Sequence, residues 1–319
     1  MFRKSRLSYV ALAIAIISMT PRASFASTFA QSTFDADRDG WLVKDLPWPN
    51  PGAPPVELQT FTPTQQPTGG NPGGRLTFSD PTANTWYWFA PAKFLGNKLG
   101  AYGGTLSFDL VVTGTGTPYD QEDVILVGGG LTLVFTLPAQ PGTSFTSYHL
   151  GLTETGWRRD TRSGVPATQA DMAAALSSLT AIYIRGEYRL STDDAGQLDN
   201  VVLEGSGAIC DIQLNQALYH NGDQVTAQVW RLGNQDTSPL AVEFKVWFEV
   251  PGFAPISVLR FGADGSVSFP AGLNQNLGPA TLFTVAPSTP RGTYAFSCRV
   301  VNPVTGAEFT HDINPFEIQ

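Results

Sequence analysis

The chain has 319 residues and a formal net charge of −8, with only 14% charged residues, 11% aromatics, 32 glycines and 24 prolines. Such an acidic chain is a poor nucleic-acid ligand. It also has no run of basic residues that would hold it by charge alone on an anionic membrane or an acidic polysaccharide. Glycine, proline and aromatics in these amounts point to short strands and many turns.

Arg3, Lys4 and Arg6 precede an apolar run from Leu7 to Met19, and Ala23-Ser24-Phe25-Ala26 supplies small residues where cleavage occurs. Residues 1–26 therefore read as a secretory signal peptide cut after Ala26. The run is shorter than the ~20 apolar residues that cross a bilayer, and Pro21 and Arg22 close it. Losing Arg3, Lys4, Arg6 and Arg22 would take the formal charge from −8 to −12. The mature chain is expected to have no membrane span and to be secreted, periplasmic or on the cell surface.

Phe34-Asp35-Ala36-Asp37-Arg38-Asp39-Gly40-Trp41 sets three carboxylates at alternate positions before a glycine, as a calcium loop begins. An EF-hand needs Glu at its twelfth position, which here is Leu46, so an EF-hand is excluded. Between Trp41 and Arg75 the sequence is crowded with proline, including Pro47, Pro49, Pro51, Pro54 and Pro55. Proline removes a ladder donor, so this stretch is expected to be a long surface excursion, either a plain loop or a binding lid. Trp86 and Trp88 share strand parity and are expected to face inward, leaving Tyr87 and Phe89 on the other side.

Thr168-Gln169-Ala170-Asp171 resembles a capping box with Asp in place of Glu, opening an Ala-rich helix over Met172 to Leu179. Ala181 to Tyr188 then reads as a strand with Ile182 and Ile184 on one face. The sequence Glu204-Gly205-Ser206-Gly207-Ala208 is small and flexible, and nearly 300 mature residues favour two domains. The expected boundaries are residues 27–205 and 206–319. In the second, Val225 to Trp230, Val242 to Trp247 and Thr293 to Val300 alternate as half-buried strands, over about the length of one immunoglobulin-like sandwich. Cys210 and Cys298, the two cysteines of an exported chain, are expected to form a disulfide, with two buried thiols as the alternative.

Several of these segments in combination resemble the laminin IV domain, also called laminin B. They are Trp86-Tyr87-Trp88, Phe94-Leu95-Gly96, Ala101 to Phe108, Trp157-Arg158-Arg159, Pro166-Ala167-Thr168, Ile184-Arg185 and Leu198 to Leu203. The resemblance covers roughly Phe34 to Leu203. It implies an extracellular, all-β, galactose-binding-like jelly-roll β-sandwich with one short helix, which binds or spaces rather than catalyses. An exported bacterial member followed by the immunoglobulin-like β-sandwich is the expected architecture. Cysteine-rich repeats that flank the domain in animal laminins are absent, so a basement-membrane role is not carried over.

In the jelly rolls that this family resembles, an N-terminal loop often shares a structural calcium with the start of the last strand. The resemblance thus implies that Asp35, Asp37 or Asp39 together with Asp199 and main-chain carbonyls hold one Ca2+, the alternative being a solvated acidic turn. For glycan stacking the aromatic candidates are Trp41, Trp48, Trp86, Trp88, Tyr102, Tyr119 and Trp157, most of them expected in the core. Trp48, within the Pro-rich stretch, and Trp157, beside Arg158 and Arg159, are the better placed of these to be exposed and, with Arg158, are the candidate ligand-binding residues, a structural role being the alternative for each.

No His-Glu-x-x-His, Gly-x-Ser-x-Gly or phosphate loop is present, and His149, His220 and His311 are scattered. No catalytic residue is assigned. The expected function is an exported binding or adhesion module for a glycan or an extracellular surface protein. The alternatives are a spacer or assembly subunit without ligand, and a polysaccharide-active enzyme using Glu122, Asp123 and Glu154 or the adjacent acids Asp193 and Asp194.

Overall fold

The computed structural model of the chain describes residues 27–190 and 194–319. The signal-peptide expectation on residues 1–26, and Asp193, lie outside them. The described residues are almost entirely strands and turns, with one α-helix, Gln169–Ser177.

Two sheets face each other in the N-terminal part. One runs Thr146–Gly151, Thr105–Thr113, Ala195–Gly205, Gly73–Ser79 and Thr64–Gly70, with Ser27–Ser32 also paired to Ala195–Gly205. The other runs Trp157–Arg159, Leu131–Phe135, Val124–Gly128, Leu179–Arg185, Thr85–Phe89, Leu42–Leu46 and Gln59–Phe61. The strand alternation predicted for Trp86 and Trp88 holds: both are fully buried between the sheets, with their rings edge to face at 5.1 Å. Tyr87 points to the opposite face, where a second apolar layer forms from Leu46, Tyr87, Ile125, Val134, Ala181 and Tyr183. A sheet covered on both faces explains why its strands are apolar without strict alternation.

The capping box is present as read. Thr168 Oγ1 accepts from the Asp171 amide at 3.2 Å and Asp171 Oδ2 accepts from the Thr168 amide at 2.9 Å. The helix ends at Ser177, two residues earlier than expected, because Leu179 already belongs to the next strand. The excursion between Trp41 and Arg75 is shorter than expected. Leu42–Leu46 is an internal strand, and Gln59–Phe61 and Thr64–Gly70 are paired at sheet edges. Only the residues from Pro47 to Leu58, which hold the five clustered prolines, form the surface loop.

The C-terminal part is a second sandwich with its own core. Gln224–Asn234 pairs with Ala208–Leu214 on one side and with Asn274–Asn276 and Ala280–Thr284 on the other. The facing sheet runs Leu218–Tyr219, Glu308–Ile318, Gly292–Val301, Glu243–Glu249 and Ile256–Phe261. Cys210 and Cys298 form a disulfide across the two sheets, with Cα atoms 6.3 Å apart. The connector predicted to be a flexible stretch is reduced to Ser206 and Gly207, between strands ending at Gly205 and starting at Ala208. The two sandwiches pack directly: the Gly100 amide donates to Gln235 Oε1 at 2.7 Å, and the Tyr102 and His311 rings meet at 6.0 Å.

Candidate functional site

One end of the seven-stranded sheet gathers the polar chemistry of the N-terminal sandwich. Pro47 to Leu58, Asp80 to Asn84, Tyr119 to Asp123 and Gly186 to Tyr188 all emerge there, next to the ends of paired strands. Trp48 sits at this end with 48% of its surface exposed, edge-on to Tyr119 at 6.4 Å. Tyr119 is held from behind. Its hydroxyl shares a 2.9 Å hydrogen bond with Thr85 Oγ1, which donates its own proton to Gln121 Oε1 at 2.8 Å. Gln121 Nε2 in turn reaches the Pro47 carbonyl at 3.4 Å, tying the base of the loop that carries Trp48.

Arg185, 1% exposed, lies between the rings of Tyr119 and Tyr188, its guanidinium carbon 4.3 Å from each. It donates to the Tyr119 carbonyl at 2.9 Å and pairs with Asp123 at 3.4 Å. Asp123 also accepts the Leu137 amide at 2.8 Å. Burial pushes the Asp123 carboxyl up, and Arg185 opposes this. A buried cation here has a carboxylate, carbonyls and two ring faces as partners, which is what it needs to remain charged in the interior.

Behind this platform lie more carboxylates. Asp45 accepts from Thr82 Oγ1 at 3.1 Å and Asn84 Nδ2 at 3.1 Å. Asp80 Oδ1 accepts the Thr82 amide at 2.9 Å, while its buried Oδ2 has no hydrogen-bond partner. Burial, with Asp45 and Asp194 nearby, lifts Asp80 to about 6. Burial and the Asp80 charge lift Glu187 to about 8. Both groups hold protons more tightly in the folded chain than at their ordinary carboxylate values, so the stability they contribute is fully present in acid and is lost as pH rises through those values. The folded protein is therefore expected to melt higher at pH ~5 than at pH ~8, and Glu187→Gln should flatten that slope in thermal melts. A Glu187→Gln slope equal to that of the parent chain would refute this role.

The residues singled out from the sequence are distributed as follows. Trp157 is 1% exposed, packed on Phe135 at 5.2 Å, with Nε1 donating to the Gly151 carbonyl. The expectation that it stacks ligand at the surface is overturned: it occupies the inward parity of its strand, and it is Arg158 that points out. Arg158 donates to the Gly164 carbonyl at 2.8 Å from the edge strand Trp157–Arg159. Four strands separate that edge from Leu42–Leu46, which leads to Trp48, so Arg158 and Trp48 do not share a site.

The acidic motif divides. Asp39 accepts from Ser32 Oγ at 2.7 Å and pairs with Lys93, while Asp37 Oδ1 caps the Asp39 amide at 2.6 Å. Asp35 turns the other way and accepts the Gly74 amide at 2.9 Å. Asp199, fully buried, accepts the Asn71 and Asn200 amides at 2.6 and 2.7 Å. A Cβ on Gly73 would lie 2.2 Å from Asp35 Oδ1 and one on Gly70 would lie 2.5 Å from Asp199 Oδ2, so both carboxylates close on this turn only because it is glycine. Asp109 was missed. It stands directly opposite Asp199 in the ladder, and its Oδ2 accepts from Asn71 and Asn200 side chains at 3.1 and 2.9 Å. The available signal was a lone acid inside the apolar run Phe108 to Val112. Burial, together with Asp109 and Asp35, lifts Asp199 to about 6.

Facing like charges on adjacent strands destabilise a sheet. Among the described residues, no lysine or arginine pairs with Asp35, Asp109 or Asp199. Nor do three or more Asp, Glu, His or Cys side chains gather closely enough among those residues to hold a metal by themselves. The candidate hydrolytic acids are tied to separate partners: Glu122 to the Arg162 amide, Asp123 to Arg185 and Glu154 to the Tyr102 hydroxyl.

Comparison with known proteins gives a consistent family signal. Residues 87–209 match the family model described as Laminin B (Domain IV). Laminin subunit gamma-1 of Danio rerio is 32% identical over 179 residues, covering 54% of this chain and 10% of that protein. The basement membrane-specific heparan sulfate proteoglycan core protein of Mus musculus is 35% identical over 121 residues, covering 36% of this chain and 3% of that protein. The chain thus spans a tenth or less of the length of these relatives. Among solved structures, the L4b domain of human laminin alpha-2 superposes with a TM-score of 0.44 at 19% identity, covering 55% of this chain and 96% of that one. The laminin IV resemblance read from the sequence is supported over the matched region.

Proposed function

From a laminin IV-type segment as premise, we propose that the chain is an exported, non-catalytic binding module that recognises a glycan or an extracellular surface protein through the Trp48 end of its first sandwich. The observation that carries this reading is an indole half open to solvent on a support of fixed geometry: Tyr119, Thr85, Gln121 and the buried Arg185. An aromatic anchor on a rigid base offers contact area at little ordering cost. Glu122, Asp123 and Glu154, the acids weighed for hydrolysis, each engage a separate partner, which favours binding over hydrolysis by them. No described helix is long and apolar enough to cross a membrane.

The second sandwich is read as immunoglobulin-like. In support, its first strand is divided: Ala208–Leu214 pairs antiparallel in one sheet, and Leu218–Tyr219 runs parallel to the last strand in the other. Its close packing on the first sandwich also favours the spacer alternative, in which the two units set a fixed distance.

For the calcium proposal, Asp35 and Asp199, which close on one glycine turn, are the favoured ligands of the set Asp35, Asp37, Asp39 and Asp199, with Asp109 opposite Asp199 added; Asp39 faces Lys93 and Asp37 its own loop. A bound Ca2+ would supply positive charge between facing carboxylates. Calcium is then expected to raise the melting temperature of the parent chain and not of Asp199→Asn. Identical melts in calcium and in chelator would remove it.

The functional test is binding of the full chain to arrays of glycans and extracellular-matrix proteins. Trp48→Ala should weaken any hit by roughly tenfold or more, a typical loss for an anchoring aromatic, with an unchanged melting temperature. Undiminished binding by the variant would refute the Trp48 site, and silence on both arrays would favour the spacer.

A further inference from the structure

The edge strand Ile256–Phe261 differs from the rest of the second sandwich. Four of its six residues are Ile, Val, Leu and Phe, yet five of the six are exposed. It pairs with Glu243–Glu249 on one side and, among the described residues, with no strand on the other. Phe261 lies opposite Phe244 and Leu259 opposite Val246, so both side chains are aimed at the core. Ile256, opposite Phe248, has the same aim. Even so, Leu259 is 38% exposed and Ile256 54%. The core is therefore open along this edge, and Phe253, in the turn that leads into the strand, adds a further exposed ring.

Exposed edges are commonly blunted by proline or by a charge that points inward. Neither occurs from Ile256 to Phe261: the single charge, Arg260, lies on the outer face opposite Lys245, as Ser257 does opposite Trp247. Val258 is the extra residue of a bulge, since Leu259 pairs with Val246 and Ser257 with Trp247. That bulge sets the phase of the strand. Residues directly opposed in an antiparallel pair share a face. With Val258 inserted, a copy related by a two-fold axis can set Ile256 against Phe261 on the inner face and Ser257 against Arg260 on the outer one. The strand is thus complementary to itself: apolar groups meet apolar groups, and Arg260 meets an uncharged residue instead of another arginine.

Charge fits the same occupant. Glu243 already contacts both Lys245 at 3.1 Å and Arg260 at 2.7 Å. Glu249, on the same outer face, pairs with no lysine or arginine among the described residues. A second copy would bring its own Arg260 to the side of the sheet that carries Glu249.

We propose that Ile256–Phe261 pairs antiparallel with the same strand of a second copy of this chain, joining the two sheets into one across a two-fold axis. The unpaired main-chain groups of the edge supply the hydrogen bonds, and Ile256, Leu259 and Phe261 of both copies leave water. Pairing across a two-fold axis uses the edge of both copies, so assembly closes at a dimer. This edge belongs to the second sandwich and does not depend on Trp48.

The test is sedimentation of the full chain over a range of concentrations, where a monomer–dimer equilibrium is expected. Ser257→Glu sets a carboxylate opposite Arg260 of the second copy, twice in a symmetric pair, and should tighten the dimer severalfold. Ser257→Arg sets like charges there and should loosen it severalfold. Ser257 is exposed, so neither change is expected to disturb folding, which thermal melts check. Leu259→Lys, an inward-pointing charge, should leave monomer alone; if that variant folds poorly, the two Ser257 variants decide. A chain that stays monomeric at every concentration, larger assemblies in place of a dimer, or a dimer equally tight in both Ser257 variants would overturn the proposal.

Discussion

Replacing Cys210 and Cys298 together with alanine is expected to lower the stability of the C-terminal sandwich by about 4 kcal/mol. The bridge spans 88 residues, and closing a loop of that length in the unfolded chain removes much of the entropy that opposes folding. It also joins opposite sheets, so its loss releases the contact of Ala208–Leu214 with Gly292–Val301 at the centre of the core. Both positions are buried, so alanine avoids leaving an unsatisfied hydroxyl. Chemical denaturation of the double variant beside the parent measures the effect. A loss well under ~1 kcal/mol would show that the sandwich is determined by its packing and not by the bridge.

Arg185→Met is the second large expected effect, in the first sandwich. Removing one member of a buried ion pair leaves the other uncompensated and typically costs 3–5 kcal/mol, about what is expected here. Asp123, with almost no solvent access, would lose its cationic partner, and the Tyr119 and Tyr188 rings would lose the group packed between them. Met fills much of the volume, so the loss reports charge more than cavity. Adding Asp123→Leu should recover a large part of it, because replacing both partners by apolar groups is often neutral. The single variant should also weaken binding at Trp48 through Tyr119. Denaturation curves of the single and double variants decide: an Arg185→Met cost below ~1 kcal/mol, or no recovery in the double variant, would show that the pair is not what holds this end together.

Much of the fold was legible because it rests on local periodicity. The inward parity of Trp86 and Trp88 and the capping box at Thr168 and Asp171 follow from residues close in sequence. The candidate site was less legible. The exposure of Trp48 was legible from its Pro-rich context, but Trp157 was assigned to the wrong side because two arginines follow it, although only Arg158 takes the outward position. The Pro-rich region was overextended because Leu42–Leu46 lies before its first clustered proline and pairs within the sheet.

By itself the sequence determined the class of protein: a β-rich, acidic chain with aromatic strands of definite parity. These follow from composition and from the two-residue period of a strand, which need no partner to be read. Only the tertiary structure decided which strands lie side by side. Register placed Asp109 opposite Asp199, brought Arg185 between Tyr119 and Tyr188, and set Arg260, Lys245, Arg299 and His311 in one row. Those juxtapositions join residues tens of positions apart. They depend on loop lengths and on which faces find a common core, and no local pattern in the chain records that choice.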